Sequence, residues 1–338
     1  MDQLIKITKY FCCCALVLGK QAIAASEIRA EVVKTWTLAS DFIVDKKKIG
    51  GLSGCALSED KVFFVSDDRG AGAKIISFPF DFIQNEIDLK KGSIHKLKSD
   101  NQPKILDLEG IGIANKDLIF LSSEGDLNQK PRIMPEIFWI NASGKKTKSI
   151  RFPKEFLPEK SGKQTRGIQL NLGFEGLVVD ITLKKWAAIL EAPLLQGPKE
   201  LLLVESNMDS ANFDQVFSYP VPVDSDSENL SGYFGATDLL FLDESNFLIL
   251  ERGVQATLQG LTYQTQLCTA TKNESKLRLN RQCFYRMNKD SGLSGLIPSG
   301  ANFEGLCWVN KQKKLFLAVS DNNFSKNEKS VLILYQLH

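Results

Sequence analysis

The sequence predicts an all-β chain folded as a β-propeller, and three observations predict it. A two-strand unit is written five times, with its marker residue at Ser53, Glu109, Glu175, Asp238 and Glu304, so that successive copies lie 56, 66, 63 and 66 residues apart. Each unit is a pair of short, near-continuously apolar runs joined by a polar turn, the pattern of strands covered on both faces. No segment carries helical periodicity over the length of a helix, and short antiparallel strands at this repeat length are the signature of propeller blades. Five markers give five blades. A sixth without the marker would fit a longer gap such as Leu201 to Val221. The competing architecture is a β-sandwich whose strands resemble one another by coincidence.

The chain begins with a segment to be set aside. Lys6 and Lys9 precede an apolar run from Tyr10 to Gly19, and Ala22-Ile23-Ala24 offers a small-x-small cleavage site, the pattern of a secretory signal peptide. The run is too short to span a bilayer, and no later stretch is long enough. The expectation is a signal peptide over 1–24, then a single domain over 25–338 exported to a periplasm or secreted. Cleavage leaves 338 − 24 = 314 residues. The whole chain is formally +2, and the leader carries Lys6, Lys9 and Lys20 against Asp2, so the mature chain is neutral. Neutrality gives no reason to expect nucleic acid or an anionic membrane as a partner. A monomer acting on a small molecule is the expectation.

The first strand after the leader is Glu31 to Leu38. The first unit is Gly51-Leu52-Ser53-Gly54-Cys55-Ala56-Leu57, a turn at Glu59-Asp60, and Val62-Phe63-Phe64-Val65-Ser66-Asp67-Asp68. The second runs Leu108-Glu109-Gly110-Ile111-Gly112-Ile113, then Leu118 to Glu124. The third is Phe174-Glu175-Gly176-Leu177-Val178-Val179, then Trp186 to Glu191. The fourth is Thr237-Asp238-Leu239-Leu240-Phe241-Leu242, then Phe247 to Arg252. The fifth is Asn302-Phe303-Glu304-Gly305-Leu306-Cys307-Trp308, then Leu315 to Asn322. The glycine after the acidic residue spares a side chain where backbones crowd. The last strand is Val331 to Tyr335, and one terminal strand completing a blade begun by the other would close the ring.

Four cysteines lie beyond the leader, which takes Cys12, Cys13 and Cys14 with it. Export permits disulfides. Cys268 and Cys283 flank a polar segment, Thr269 to Gln282, that reads as a long hairpin loop, and a bridge closing it is the pairing expected, although spacing does not fix connectivity. Cys55 and Cys307 sit inside apolar strands and read as buried free thiols.

These units resemble an exported family named for phytase-like, esterase-like activity. The resemblance is carried by Gly51-Leu52-Ser53-Gly54 with Ser66-Asp67-Asp68-Arg69, and by Leu108-Glu109-Gly110-Ile111 with Ser123-Glu124-Gly125. It continues through Asn171 to Leu177 with Glu191-Ala192-Pro193, and Thr237 to Leu240 with Leu250-Glu251-Arg252-Gly253. It ends with Asn302 to Leu306 and Ser320 to Phe324. The resemblance implies a propeller and hydrolysis of a phosphate ester or another ester.

In an antiparallel hairpin the start of one strand and the end of the next share an edge. Glu109 then neighbours Glu124, Glu175 neighbours Glu191, Asp238 neighbours Glu251, Glu304 neighbours Asp321, and Asp67 and Asp68 lie opposite Ser53. If these strands are innermost, the carboxylates ring one mouth of the central channel. Repulsion among them would raise some pKa values, and a hard divalent cation relieves it. Calcium favours such oxygen ligands, with Asp67, Asp68, Glu109, Glu124, Asp238, Glu251, Glu304 and Asp321 as metal candidates. Asn171, Asn302 and Asn322 offer neutral oxygens. The plainer reading is that the acids accept backbone hydrogen bonds and staple the blades.

With only His95 and His338, a Ser-His-Asp arrangement and a histidine-rich zinc site have almost no basis. The Gly-x-Ser-x-Gly elbow is absent. Water activated by a metal is then the economical route for a hydrolase, with Glu175 or Glu191 taking a proton and Arg69, Arg166 and Arg252 as anion clamps. Taken singly, each arginine reads more simply as half of an ordinary ion pair. Two functions stand side by side: a calcium-dependent ester or phosphoric-ester hydrolase, and a non-catalytic propeller that binds a ligand or protein at its rim with calcium purely structural.

Overall fold

The computed structural model describes residues 28–68, 73–98, 106–222, 233–258, 260–290, 300–326 and 328–338. The expected signal peptide and Arg69 lie outside the described residues.

Five blades stand in a ring, each opening on one of the five repeated hairpins. The inner strands are Leu52–Ser58, Leu108–Asn115, Phe174–Asp180, Tyr233–Phe241 and Asn302–Asn310. Each is followed by an antiparallel second strand, respectively Lys61–Ser66, Leu118–Ser123, Lys185–Leu190, Asn246–Thr257 and Leu315–Asp321. Each inner strand lies beside that of the next blade, and the fifth returns to the first. The glycine after the marker residue makes this approach possible. A Cβ on Gly54 would lie 2.5 Å from the carbonyl oxygen of Glu109, and one on Gly305 would lie 2.2 Å from that of Ser53.

Blade 5 is completed by the first strand of the chain. Ala30–Leu38 pairs antiparallel with Ser330–Leu337, from Ala30 opposite Leu337 to Leu38 opposite Ser330. A disulfide between Cys55 and Cys307 ties the inner strand of blade 1 to that of blade 5 at the same seam. The expectation of free thiols there is corrected: adjacent inner strands bring these two residues to a Cα–Cα separation of 5.5 Å. The Cys268–Cys283 bridge is present, but the segment between is no loop. It is the end of one long strand, Gly260–Asn273, a single 3-10 turn, and the start of Arg278–Arg286, all in blade 4. There is no sixth blade among the described residues, because Glu200–Asn207 and Gln215–Pro220 are the outer two strands of blade 3. One parallel bridge, Ser218 to Arg278, links the outer edges of blades 3 and 4.

The apolar core lies between blades, not at one centre. Trp186, Phe120 and Phe174 fill the seam between blades 2 and 3, while Phe247, Phe316 and Tyr335 belong to the cluster spanning blades 3 to 5. The cluster between blades 1 and 2 is built from smaller side chains such as Ile75, Ile111, Ile113 and Ile140. Among the described residues, no helix is long and apolar enough to cross a membrane.

A candidate acidic site at the channel mouth

The register of each hairpin decides which side chains face one another. In blade 2 the Glu124 amide donates to the carbonyl of Asp107, and in blade 3 the Glu191 amide donates to that of Gly173. In blade 5, Asp321 pairs with Asn302. The second-strand position therefore faces the residue two before the marker, and β-bulges at Glu175 and Glu304 turn those markers out of the ladder.

Blade 4 breaks the pattern by one residue. Its ladder pairs Ala236 with Glu251 and Asp238 with Leu250, so the bulge falls at Thr237. Thr237 takes the marker position, Asp238 takes the place of the following glycine, and Arg252, opposite Gly235, takes that of Glu191 and Asp321. Asp238 points at the junction of blades 4 and 5, accepting from the Leu306 amide at 2.5 Å and from the Leu239 amide at 2.8 Å. Burial still pushes its carboxyl well above the usual range, against the pull of these bonds. Glu251 is wholly buried elsewhere in blade 4, held by Arg281 through both oxygens at 2.6 Å and by the Tyr219 hydroxyl at 2.5 Å. Neither Asp238 nor Glu251 joins the acids of the mouth, which corrects the pairing expected for them.

The remaining acids converge. One oxygen each of Asp107, Glu109 and Glu124 lie within 4.8 Å of one another, and so do those of Glu124, Glu175 and Glu191. All five residues are buried, and Glu124 belongs to both triads. Its Oε1 also accepts from the Gly173 amide, which fastens blade 2 to blade 3. No side-chain hydrogen bond holds Glu109 or Glu175 among the described residues. Burial first, then the charges of Glu175, Asp107, Glu124 and Asp67, push the Glu109 carboxyl well above its ordinary range. Burial, then Glu124, Glu191 and Glu304, do the same to Glu175, with Arg252 opposing.

Arg252 is the balancing charge on the other side. It donates to Glu191 Oε1 at 2.5 Å, to Asn302 Oδ1 at 3.1 Å and to Glu304 Oε1. Burial works against its charge, but Glu191, Glu304 and Glu175 outweigh that and raise its pKa. Glu304 is nonetheless pushed up to about 7, by burial first, with Arg252 opposing and Asp67 and Glu191 adding repulsion. Asp321 is raised by burial and by Glu304 and Asp67, and its Oδ1 has no hydrogen-bond partner among the described residues.

A family model for the phytase-like proteins, described as esterase-like activity of phytase, matches residues 47–324. The chain belongs to that family. No curated protein matches the sequence. Among solved structures, an α-L-arabinofuranosidase of Lactobacillus brevis is similar at 9% identity and a TM-score of 0.49, covering 85% of this chain and 91% of that one. A periplasmic gluconolactonase of Pseudomonas aeruginosa is similar at 12% identity and a TM-score of 0.37, covering 83% and 84%. Membership of the phytase-like family supports a hydrolase-type function.

The other expected site residues of this phytase-like propeller fall outside the triads. Asp68 pairs with Lys74 at 2.5 Å. Arg166 lies 3.9 Å from Glu159 and is substantially exposed. Asn302 is spent on Arg252 and Glu304, and Asn322 on the amides of Gly51 and Phe324. Asn171 is exposed, in the left-handed region at φ 56°. Asp107 was missed in the sequence. Its signal is its place two residues before Glu109, the same place that Asn302 holds before Glu304.

Proposed function

We propose that the mouth hydrolyses a phosphate ester or another ester, with calcium held by Asp107, Glu109, Glu124 and Glu175. The observation that carries this reading is the pair of buried carboxylate triads joined at Glu124, in which Glu109 and Glu175 have no side-chain hydrogen bond among the described residues to settle their charge. The donor set fits a hard cation, since every candidate ligand is a carboxylate oxygen. A third group among the described residues, Glu251 with Cys268 and Cys283, does not fit, because its sulfurs are joined in a disulfide. Calcium, when bound, supplies positive charge to an ester's anionic oxygens and acidifies water.

The chain's own residues do the rest. Glu191 is fixed by Arg252 and lies beside Glu175, so either carboxylate oxygen is placed to take a proton from an attacking water. Arg252 acts as a positioning residue: its bonds to Glu191 and Glu304 hold two acids in place across blades 3, 4 and 5. The leader pattern and two disulfides support export to an oxidising compartment.

The test is hydrolysis of phosphate-ester and carboxylic-ester reporters by the mature protein, in calcium and in chelator, with circular dichroism alongside. Turnover that chelator abolishes while the fold survives, and that Glu175→Gln reduces at least a hundred-fold, is expected. A second reading is favoured by the bonds that already span blades, from Gly173 to Glu124 and from Arg252 to Glu191 and Glu304. In it the rim binds a ligand or protein and calcium only braces the ring. Unfolding in chelator with no turnover of either reporter would select that reading.

A further inference from the structure

A cleft of about 330 Å³ opens between blades 1 and 2, where the interblade core is made of the smaller side chains. Its floor is apolar, with Phe63, Ile113, Ile119 and Ile140 from both blades. Its rim is cationic. Lys61 comes from the turn end of the second strand of blade 1, Lys96 from its outer strand, and Lys116 from the first turn of blade 2. All three are exposed, and none is ion-paired among the described residues. Glu59 is the one carboxylate lining the cleft among the described residues.

Two further observations bear on the rim. His95, which also lines it, is held by a 2.9 Å contact between its Nε2 and Ser77 Oγ, and its ring lies 6.1 Å from that of Phe63. The amine of Lys47 lies against that of Lys96, and this contact, then the Lys96 charge, holds Lys47 below the usual lysine range. Like charges are thus gathered at the edge of an apolar trough, with Asp45, whose carboxylate accepts from the Ile94 amide, as the counter-charge facing His95 and Lys47.

We infer that this cleft binds a small amphiphilic anion, one apolar body laid on the isoleucine and phenylalanine floor with a carboxylate, phosphate or sulfonate head between Lys61, Lys96 and Lys116. The size is that of small-molecule pockets, which combine a mostly apolar lining with a few placed polar groups. Flexible ammonium groups at the rim can close on a head group while keeping their stems over the apolar wall. The site is separate from the acidic mouth and does not depend on the reading given to it. Neither Glu109 nor Glu124 lines it, and it includes the 58–61 and 116 turns at the other end of the inner hairpins.

The probe is 8-anilinonaphthalene-1-sulfonate, titrated into the full mature protein and followed by fluorescence, with the neutral N-phenyl-1-naphthylamine as its uncharged counterpart. One saturable site is expected. Lys61→Glu with Lys116→Glu should weaken the sulfonate at least ten-fold while leaving the neutral probe within two-fold. Octyl phosphate should displace the dye and octanol should not. Both substituted positions are exposed, and circular dichroism verifies the fold of the variant. Equal affinity of the dye for wild type and the doubly reversed protein, or no saturable binding to the wild type, overturns the inference.

Discussion

At Glu109 and Glu175, burial and cation binding make opposite demands. Without a cation, each carboxylate is crowded by its neighbours, and removing its charge relieves repulsion. With a cation, the same removal takes away a ligand. In Glu109→Gln and Glu175→Gln the stability in chelator should therefore stay level or rise, while the gain from calcium should shrink. For one site at a calcium level a hundred times Kd, the wild-type gain is about 2.7 kcal/mol, and most of it should be lost. Calorimetric melts in calcium and in chelator measure both. Equal destabilisation in the two buffers would make these glutamates backbone staples. Glu304 adds a pH dependence whose sign is fixed. Its folded pKa, about 7, lies above its unfolded value, so between the two the folded state holds more protons and stability falls as pH rises. The cation-free protein should lose on the order of 3 kcal/mol through this group between about pH 4.5 and pH 7, and calcium should flatten the slope.

At the scale of the hairpin, blade 4 sets the test. Asp238→Ala leaves the amides of Leu306 and Leu239 without their acceptor, at a cost of about 1–3 kcal/mol for each buried group, whereas Asp238→Asn keeps one oxygen and should cost less. Neither should alter the stabilisation gained from calcium, and a change there would place Asp238 among the ligands. Arg252→Gln should behave differently. It strips Glu191 and Glu304 of their counter-charge, so the protein in chelator should fall by about 3–5 kcal/mol and recover part of that in calcium. The repeats and the ring were legible in the sequence, because apolar strand pairs and repeated Glu-Gly dipeptides report them directly, whereas the acid clusters were only partly so: Asp107 was missed, and Asp238 and Glu251 lie elsewhere. The register of blade 4 was not read from the sequence, although a weak signal of it is there. Glu109, Glu175 and Glu304 are each followed by glycine, while Asp238 is followed by Leu239. A bulge moves the marker to Thr237, and no periodicity reports a bulge. The Cys55–Cys307 pairing was hidden for another reason. It depends on which inner strands become neighbours when the ring closes, and so on topology rather than on local pattern.

At the scale of the whole molecule, one seam joins the first and last blades. It combines the pairing of Ala30–Leu38 with Ser330–Leu337 and the disulfide from Cys55 to Cys307. The disulfide closes a loop of most of the chain, so Cys55→Ser with Cys307→Ser should lower stability by about 2–5 kcal/mol, read from denaturant melts, and reduction should act alike. No change in either case would mean that the strand pairing alone carries the seam. The same seam gives the chain a schedule. The strand Ala30–Leu38 precedes all five hairpins in the chain, and its partner among the described residues, Ser330–Leu337, follows them. Until Ser330–Leu337 has been made it is an unpaired edge of the kind that recruits other chains. The ring is therefore sealed only once Ser330–Leu337 has been made, and a chain stalled before that strand leaves both blade 5 and Ala30–Leu38 open to association.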